Sequence, residues 1–156
     1  MDVHTGKFGI GQPVQRVEDH RFITGRGRYV DDIALPQQAY GVVVMSPHGH
    51  ARIRKIDTSK ALQAEGVLCV LTAADLAKDD VGLLIPAMPE DFGGPKGYRA
   101  SRPLQVRDKA RSVGDRIAFV VAETEELARS AAELVDVDYE ALPAVSTIEE
   151  AVAPNA

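Results

Sequence analysis

Ile117-Ala118-Phe119-Val120-Val121-Ala122, then Thr124-Glu125-Glu126-Leu127, then Val135-Asp136-Val137-Asp138-Tyr139-Glu140 follow one another along the chain, and their periods decide the fold class. The first run is continuously apolar, which predicts a strand covered on both faces. Thr124 is placed to cap a helix, because its side-chain oxygen can accept from a free N–H of the first turn. Glu125 and Glu126 fall in that turn, where the helix dipole favours negative charge. Leu127, Ala131, Leu134 and Val135 recur at helical spacing and predict one apolar stripe. The period then becomes two: Val135, Val137 and Tyr139 alternate with Asp136, Asp138 and Glu140. That pattern predicts a strand with one wet, acidic face. Strand, helix and strand in so short a stretch predict a compact α/β layer, ended by Pro143.

Upstream, Tyr40 to Met45 is apolar and β-branched and predicts a strand closed by Ser46-Pro47. Ile53 and Ile56, with polar residues between them, predict a second short extended piece. Asp57 or Thr58 is expected to cap a short helix to about Ala64, stopped by Gly66, which takes the left-handed conformation cheaply. Val67 to Leu71 predicts a strand. Thr72-Ala73-Ala74-Asp75 has the form of a capping box, with Asp where Glu or Gln is usual, and should open one or two helical turns. Gly25-Arg26-Gly27 predicts a turn feeding a short strand at Tyr29-Val30. Residues 79–102 hold Pro86, Pro89, Gly93, Gly94, Pro95 and Gly97 and predict a long loop, either a surface insertion or a segment that packs on another domain. Residues 148–152 predict a final helical turn. Residues 1–10 are expected to be loose, and residues 153–156 to be a linker.

A chain of 156 residues, 45% hydrophobic and 26% charged, is the size and composition of one globular domain. Its net charge of -5 argues against nucleic acid as partner, which needs a basic face. No apolar run is long enough to span a bilayer as a helix. Met1 to Lys7 lacks the apolar core of a secretion signal, so the expected location is cytoplasmic. The single cysteine, Cys69, sits in an apolar run and is expected to be a buried structural thiol.

Each candidate for chemistry has a plainer reading. His48 and His50 stand two apart and on a strand would share a side, but a metal site takes three or four supported ligands. With no cysteine or third histidine near, they read as a turn after Pro47. Asp31 and Asp32 could bind a hard cation or work as an acid–base pair. Adjacent side chains on a strand diverge, so capping or turn formation is the expectation. Gly9-Ile10-Gly11 and Gly93-Gly94-Pro95-Lys96-Gly97 lack the strand–loop–helix setting of a phosphate loop. Arg26 with Arg28, and Arg52 with Arg54 and Lys55, are expected to be solvated or paired with acids. Asp136, Asp138 and Glu140 are expected to form a solvated face, and secondarily a partner-facing patch. No serine sits in a nucleophile elbow and no Cys-x-x-Cys occurs.

Further short motifs stand in order: Arg16-Val17-Glu18-Asp19, Thr24-Gly25-Arg26-Gly27-Arg28-Tyr29-Val30-Asp31-Asp32, Ser46-Pro47-His48-Gly49-His50-Ala51 and Ile56-Asp57-Thr58-Ser59-Lys60-Ala61. Val113-Gly114-Asp115-Arg116-Ile117-Ala118 and the run from Val135 to Pro143 complete the series. In this order they resemble the start of the large, molybdopterin-binding subunit of the molybdenum hydroxylases: xanthine dehydrogenase, aldehyde oxidase and aerobic carbon-monoxide dehydrogenase. The resemblance implies an α/β-hammerhead domain over residues 11–152, an α/β (α+β) fold with a small mixed sheet and two main packed helices. In that family a molybdenum–pterin centre hydroxylates substrate carbon and electrons leave through iron–sulfur clusters. The pterin-gripping segments and the catalytic glutamate belong to later domains. The resemblance therefore implies no catalytic, cofactor-binding or metal residue here and an inactive isolated chain. The implied partners are the remaining molybdopterin-binding domains and iron–sulfur and flavin subunits. Met45 stands where arginine is common, Gly49 where alanine is common, and Arg111-Ser112 replaces a more apolar pair. The implied role is structural, framing the active-site approach and subunit assembly. The rival readings are a standalone interaction module of the same fold and a small metal-binding protein using His48 and His50.

Overall fold

The computed structural model describes residues 16–97 and 102–154. The chain divides into two compact units, with the boundary between Pro36 and Gln37.

In the first unit a short helix, α1 (Asp19–Ile23), ends in a Schellman turn. The Arg26 N–H donates to the Arg21 carbonyl at 2.9 Å and the Gly25 N–H to the Phe22 carbonyl at 3.1 Å. This closure puts Gly25 at φ +69°, which a side chain would resist. Phe22 stacks on Tyr29 with centroids 4.7 Å apart, and a Cβ at Gly27 would meet the Phe22 ring at 2.0 Å. Both glycines of the expected turn thus have a reason. The strand expected at Tyr29-Val30 is not formed. Val30–Asp32 is a 3-10 turn, because the Asp32 carboxylate accepts from the Tyr29 N–H at 2.8 Å and closes the backbone locally.

Among the described residues the second unit carries six strands: β1 (Tyr40–Met45), β2 (Ala51–Asp57), β3 (Val67–Thr72), β4 (Lys109–Ala110), β5 (Arg116–Ala122) and β6 (Asp136–Ala141). Its helices are α2 (Ser59–Leu62), α3 (Ala73–Lys78), α4 (Glu125–Ala132) and α5 (Ile148–Ala151). The strands form two three-stranded antiparallel sheets, ordered β1-β5-β3 and β4-β2-β6. The expected small mixed sheet is therefore two sheets without parallel pairs. The strand–helix–strand unit does not close on itself either. Both edges of β5 are taken, by β1 and β3, so β6 pairs with β2 instead.

Helix α4 lies across the first sheet with Ala128 and Ala131 fully buried. Its cap is as expected: Thr124 Oγ1 accepts from the Leu127 N–H at 3.2 Å. The apolar stripe is corrected at its end. The helix stops at Ala132, and Leu134 is exposed in the turn beyond it, while Ala128 supplies the contact.

Ile53 and Ile56 pose a problem of parity, since residues three apart on a regular strand face opposite ways. A bulge resolves it. Ile53 stands opposite Tyr139 and Lys55 opposite Asp138, so Arg54 is the extra residue. Both isoleucines then join one apolar cluster, and Arg54 and Lys55 both face solvent. A bulge between Val67 and Cys69 likewise turns Leu68 outward in β3. Two apolar clusters result. Ala61, Val70, Ala118, Val120 and Ala131 form one, and Ile53, Val106 and Ile117 form the other. Val44 packs on both.

Candidate functional site

The carboxylates expected at helix starts are well satisfied, although Thr58, the N-cap residue of α2, makes no side-chain cap bond and Asp57 acts from one residue before it. Asp57 Oδ1 accepts from the Ser59 N–H at 3.1 Å and from its hydroxyl at 2.5 Å, which starts α2. Its other oxygen takes the Lys55 ammonium at 2.7 Å. The Lys55 and Ser59 donors hold the Asp57 carboxyl far below its ordinary range, and Asp57 in turn raises Lys55. Asp75 accepts from the Thr72 N–H at 2.9 Å, as the capping-box reading expects, and from Lys78 at 2.9 Å. The Lys78 ammonium and the Thr72 hydroxyl and N–H bring its carboxyl down to about 2. Thr147 and Glu150 form a full capping box on α5, with the Glu150 N–H donating to Thr147 Oγ1 and the Thr147 N–H donating back to the carboxylate.

His48 and His50 do not converge on one point. The His48 ring packs at a tilt against Tyr139, centroids 4.8 Å apart, and His50 Nδ1 lies 2.6 Å from the Pro143 carbonyl oxygen. The segment is an irregular bend between β1 and β2. It is tied down by Ser46, whose hydroxyl donates to the His48 carbonyl and accepts from the His48 N–H, both at 3.1 Å. A Cβ at Gly49 would make ordinary contact with the Ala144 Cβ at 3.6 Å, so alanine fits there without rearrangement. Asp31 and Asp32 lie in the 3-10 turn, where Asp32 acts as a cap. Gly93 to Gly97 follow the 3-10 turn Pro89–Phe92 and are themselves not helical. Gly9 to Gly11 lie outside the described residues. Cys69 is only half-buried, a correction to the expected fully buried thiol, because it lies on the opposite side of β3 from buried Val70.

The acidic strand face is wired to β2. Glu140 stands opposite Arg52, and its carboxylate takes Arg52 at 3.9 Å and Arg54 at 3.4 Å. Arg52, Arg54 and Glu140 thus pair with one another on an exposed surface, and Lys55 pairs with Asp57 on its own strand.

Two features carry more unfilled capacity. The first is the loop that leaves α3. A Schellman turn ends that helix, with the Val81 N–H donating to the Leu76 carbonyl at 2.9 Å and Asp80 at φ +54° in the place glycine often takes. Beyond it Leu83, Leu84, Ile85 and Phe92 are largely exposed, Phe92 at 83%. An isolated bridge pairs Leu84 with Arg102 and pins the loop at that point. The second is a groove of 730 Å³ beside the loop, where Arg102, Lys109, Arg111 and Arg116 come together. The motif beginning at Val113 and the Arg111-Ser112 pair supply part of its wall, but nothing in the sequence marked the four cations as neighbours. The turn at its base is held by Asp115, whose carboxylate accepts from the Arg111 N–H at 2.6 Å and from the Ser112 N–H and hydroxyl at 3.1 and 2.9 Å. Burial opposes the charge on Asp115, but these three donors, helped by the charge of Arg102, outweigh it and hold the carboxyl below its ordinary range. In a neighbouring cavity of 410 Å³, Gln105 donates from Nε2 to the Leu71 carbonyl at 3.2 Å, which fixes the amide's orientation. Its buried Oε1 has no partner among the described residues.

Two small antiparallel sheets, bulged strands and short capped helices define an α/β-hammerhead domain. The profile described as "Aldehyde oxidase and xanthine dehydrogenase, a/b hammerhead domain" matches residues 24–143, and the chain belongs to this family. It is 43% identical over 148 residues to the carbon monoxide dehydrogenase large chain of Afipia carboxidovorans, covering 95% of this chain and 17% of that one. It is 39% identical over 137 residues to the nicotine 6-hydroxylase large subunit of Paenarthrobacter nicotinovorans, covering 87% of this chain and 16% of the relative. Among solved structures, quinoline 2-oxidoreductase from Pseudomonas putida 86 superposes with a TM-score of 0.80 at 38% identity, over 92% of this chain and 18% of that one. A Cu,Mo-CO dehydrogenase superposes with a TM-score of 0.77 at 40% identity, over 95% of this chain and 17% of that one. The chain is therefore a hammerhead domain of the large-subunit type, spanning about a sixth of the relatives it matches.

Proposed function

We propose that this domain is a non-catalytic scaffold of a molybdenum hydroxylase large subunit, framing the approach to the active site and the assembly of the subunits. One observation carries the reading: many large apolar side chains are exposed, while most of the buried apolar ones are small. Most of the buried apolar residues are alanines, among them Ala51, Ala61, Ala110, Ala118, Ala122 and Ala128. Leu83, Ile85, Phe92, Val113, Ile148 and Val152 are exposed, several by more than two thirds. Burying a Leu, Ile or Phe side chain is worth roughly 1.5–3 kcal/mol. Large exposed apolar patches on a folded domain mark surfaces that another body covers.

On this reading the molybdenum–pterin group is held by domains outside these residues. Among the described residues no three His, Cys, Asp or Glu stand together. The best-placed donors are already committed, Asp57, Asp75, Asp115 and Glu150 to turns and caps and His50 to the Pro143 carbonyl. The same reading supplies the partners, the remaining large-subunit domains together with iron–sulfur and flavin subunits, and a cytoplasmic site. Among the described residues no helix is long and apolar enough to cross a membrane.

The test is to mix this chain with the Afipia carboxidovorans large chain lacking the matched residues. A stable complex, with slowed hydrogen exchange over residues 81–92, is the expected result. No complex, and unchanged exchange in that loop, would favour a standalone interaction module.

A further inference from the structure

Several cations of the second unit pair locally. Arg52 and Arg54 have Glu140, Lys55 has Asp57, Lys78 has Asp75, and Arg129 has Glu125. In a chain of net charge -5 this is easily arranged. Yet Arg102, Lys109, Arg111 and Arg116 line one groove together with a single carboxylate, Asp115. Asp115 is engaged by the turn it closes. Among the described residues, Lys109, Arg111 and Arg116 form no ion pair. The fold itself gathers them. β4 carries Lys109, β5 begins with Arg116, and the turn between them carries Arg111. The Val106 N–H donates to the Arg116 carbonyl at 2.8 Å and fixes the two sides of the groove.

Like charges gathered on one wall repel, and a concave wall focuses their field outward. The other walls are apolar: Leu83 and Leu84 are 59% and 49% exposed, and Val113 is 70% exposed. A small free anion would use the cations and leave these side chains wet. A polypeptide bearing carboxylates and apolar side chains would use both. The chain spans 17% of a relative of the same family, which leaves ample large-subunit sequence to supply such a segment.

We infer that this groove docks an acidic, apolar-bearing segment of the large subunit from outside these 156 residues. Its carboxylates face Lys109, Arg111 and Arg116, and its apolar side chains rest on Leu83, Leu84 and Val113. The inference deepens the scaffold reading above and rests on it.

The probes are short overlapping peptides from the unmatched part of the Afipia carboxidovorans large chain, titrated into this protein at low and high salt. One or a few acidic peptides should bind, and high salt should weaken them at least about tenfold, since exposed charge pairs are screened. The double variant K109E/R116E should lose about tenfold or more in affinity, while K60E/R26E, an equal charge change elsewhere, should not. K109Q/R116Q, with no reversed charge, should show an intermediate loss and guards against misfolding of the reversed variant. Binding that ignores both double variants, or no binding by any acidic peptide, overturns the inference. Inorganic phosphate that displaces the peptide at similar concentration overturns it too, making the groove a small-anion site. The two readings fail separately in the complex with the truncated large chain. Failure of the unaltered protein to join it sinks the scaffold reading. Unaltered joining by K109E/R116E sinks the groove alone.

Discussion

On the β2–β6 face, Arg52 and Arg54 reach the Glu140 carboxylate at 3.9 and 3.4 Å, so cations and acid sit on adjacent strands of one sheet. Around the β4–β5 turn the cations are as dense, but their acid is a turn staple and the neighbouring side chains are Leu83, Leu84 and Val113. On the first surface the two arginines have an acid within the same sheet. The second has charge and apolar area that only another body can match. Ile117, Ile53 and Val106 form the floor beneath them, because β2, the 103–108 segment and β5 meet there.

That common floor gives the largest expected effect. Ile117 is fully buried, so Ile117→Ala leaves a cavity that bulged β5 cannot easily close. A loss of about 3 kcal/mol is expected in urea unfolding, with both surfaces loosened in hydrogen exchange. A loss confined to one surface would separate the two and break the comparison.

Next is Asp75, at the start of α3 beside the groove-side loop. Asp75→Ala removes the acceptor for the Thr72 N–H and should cost about 1 kcal/mol near neutral pH. The pH dependence has a definite sign. The folded-state carboxyl is lowered to about 2, so its contribution is full above the ordinary value of 3.8 and is lost as pH falls toward about 2. The gap between the unaltered protein and Asp75→Ala should therefore shrink over that window. A gap that widens on acidification would refute the assignment.

Much of this was legible from residue order alone. Apolar runs and caps gave β1, β3, β5 and α4, and Thr72 with Asp75 marked α3, because strand and helix periods are local properties. The hammerhead family followed from the order of the motifs. What stayed hidden depended on distant partners. The bulge at Arg54 is a consequence of pairing with β6, and the division into two sheets follows from which edges of β5 are occupied. The 3-10 turn at Val30 comes from one side-chain cap that outcompetes an extended backbone. The groove is the extreme case. Arg102, Lys109, Arg111 and Arg116 follow no period, and only the turn between β4 and β5 brings them side by side.

Glu140→Ala tests the self-paired surface. It leaves Arg52 and Arg54 facing each other without their acid. Both arginines are more than half exposed, so the cost should be about 0.5 kcal/mol at low salt and should fade in high salt. A cost that persists in high salt would mean Glu140 acts by packing on the strand and not by charge.

The smallest effect is the sharpest contrast, because it should carry the opposite sign. Lys109→Ala with Arg116→Ala removes cations that have no acid of their own among the described residues. No ion pair is lost and some repulsion is relieved, so stability should stay within about 0.5 kcal/mol and shift upward at low salt. Glu140→Ala lowers stability as salt is withdrawn, and this pair raises it. Measuring both variants across a salt series in one unfolding experiment makes the two lines diverge. Parallel lines would mean the groove cations are internally balanced after all. The two surfaces would then be one kind, and the case for an external acidic partner would fall with the distinction.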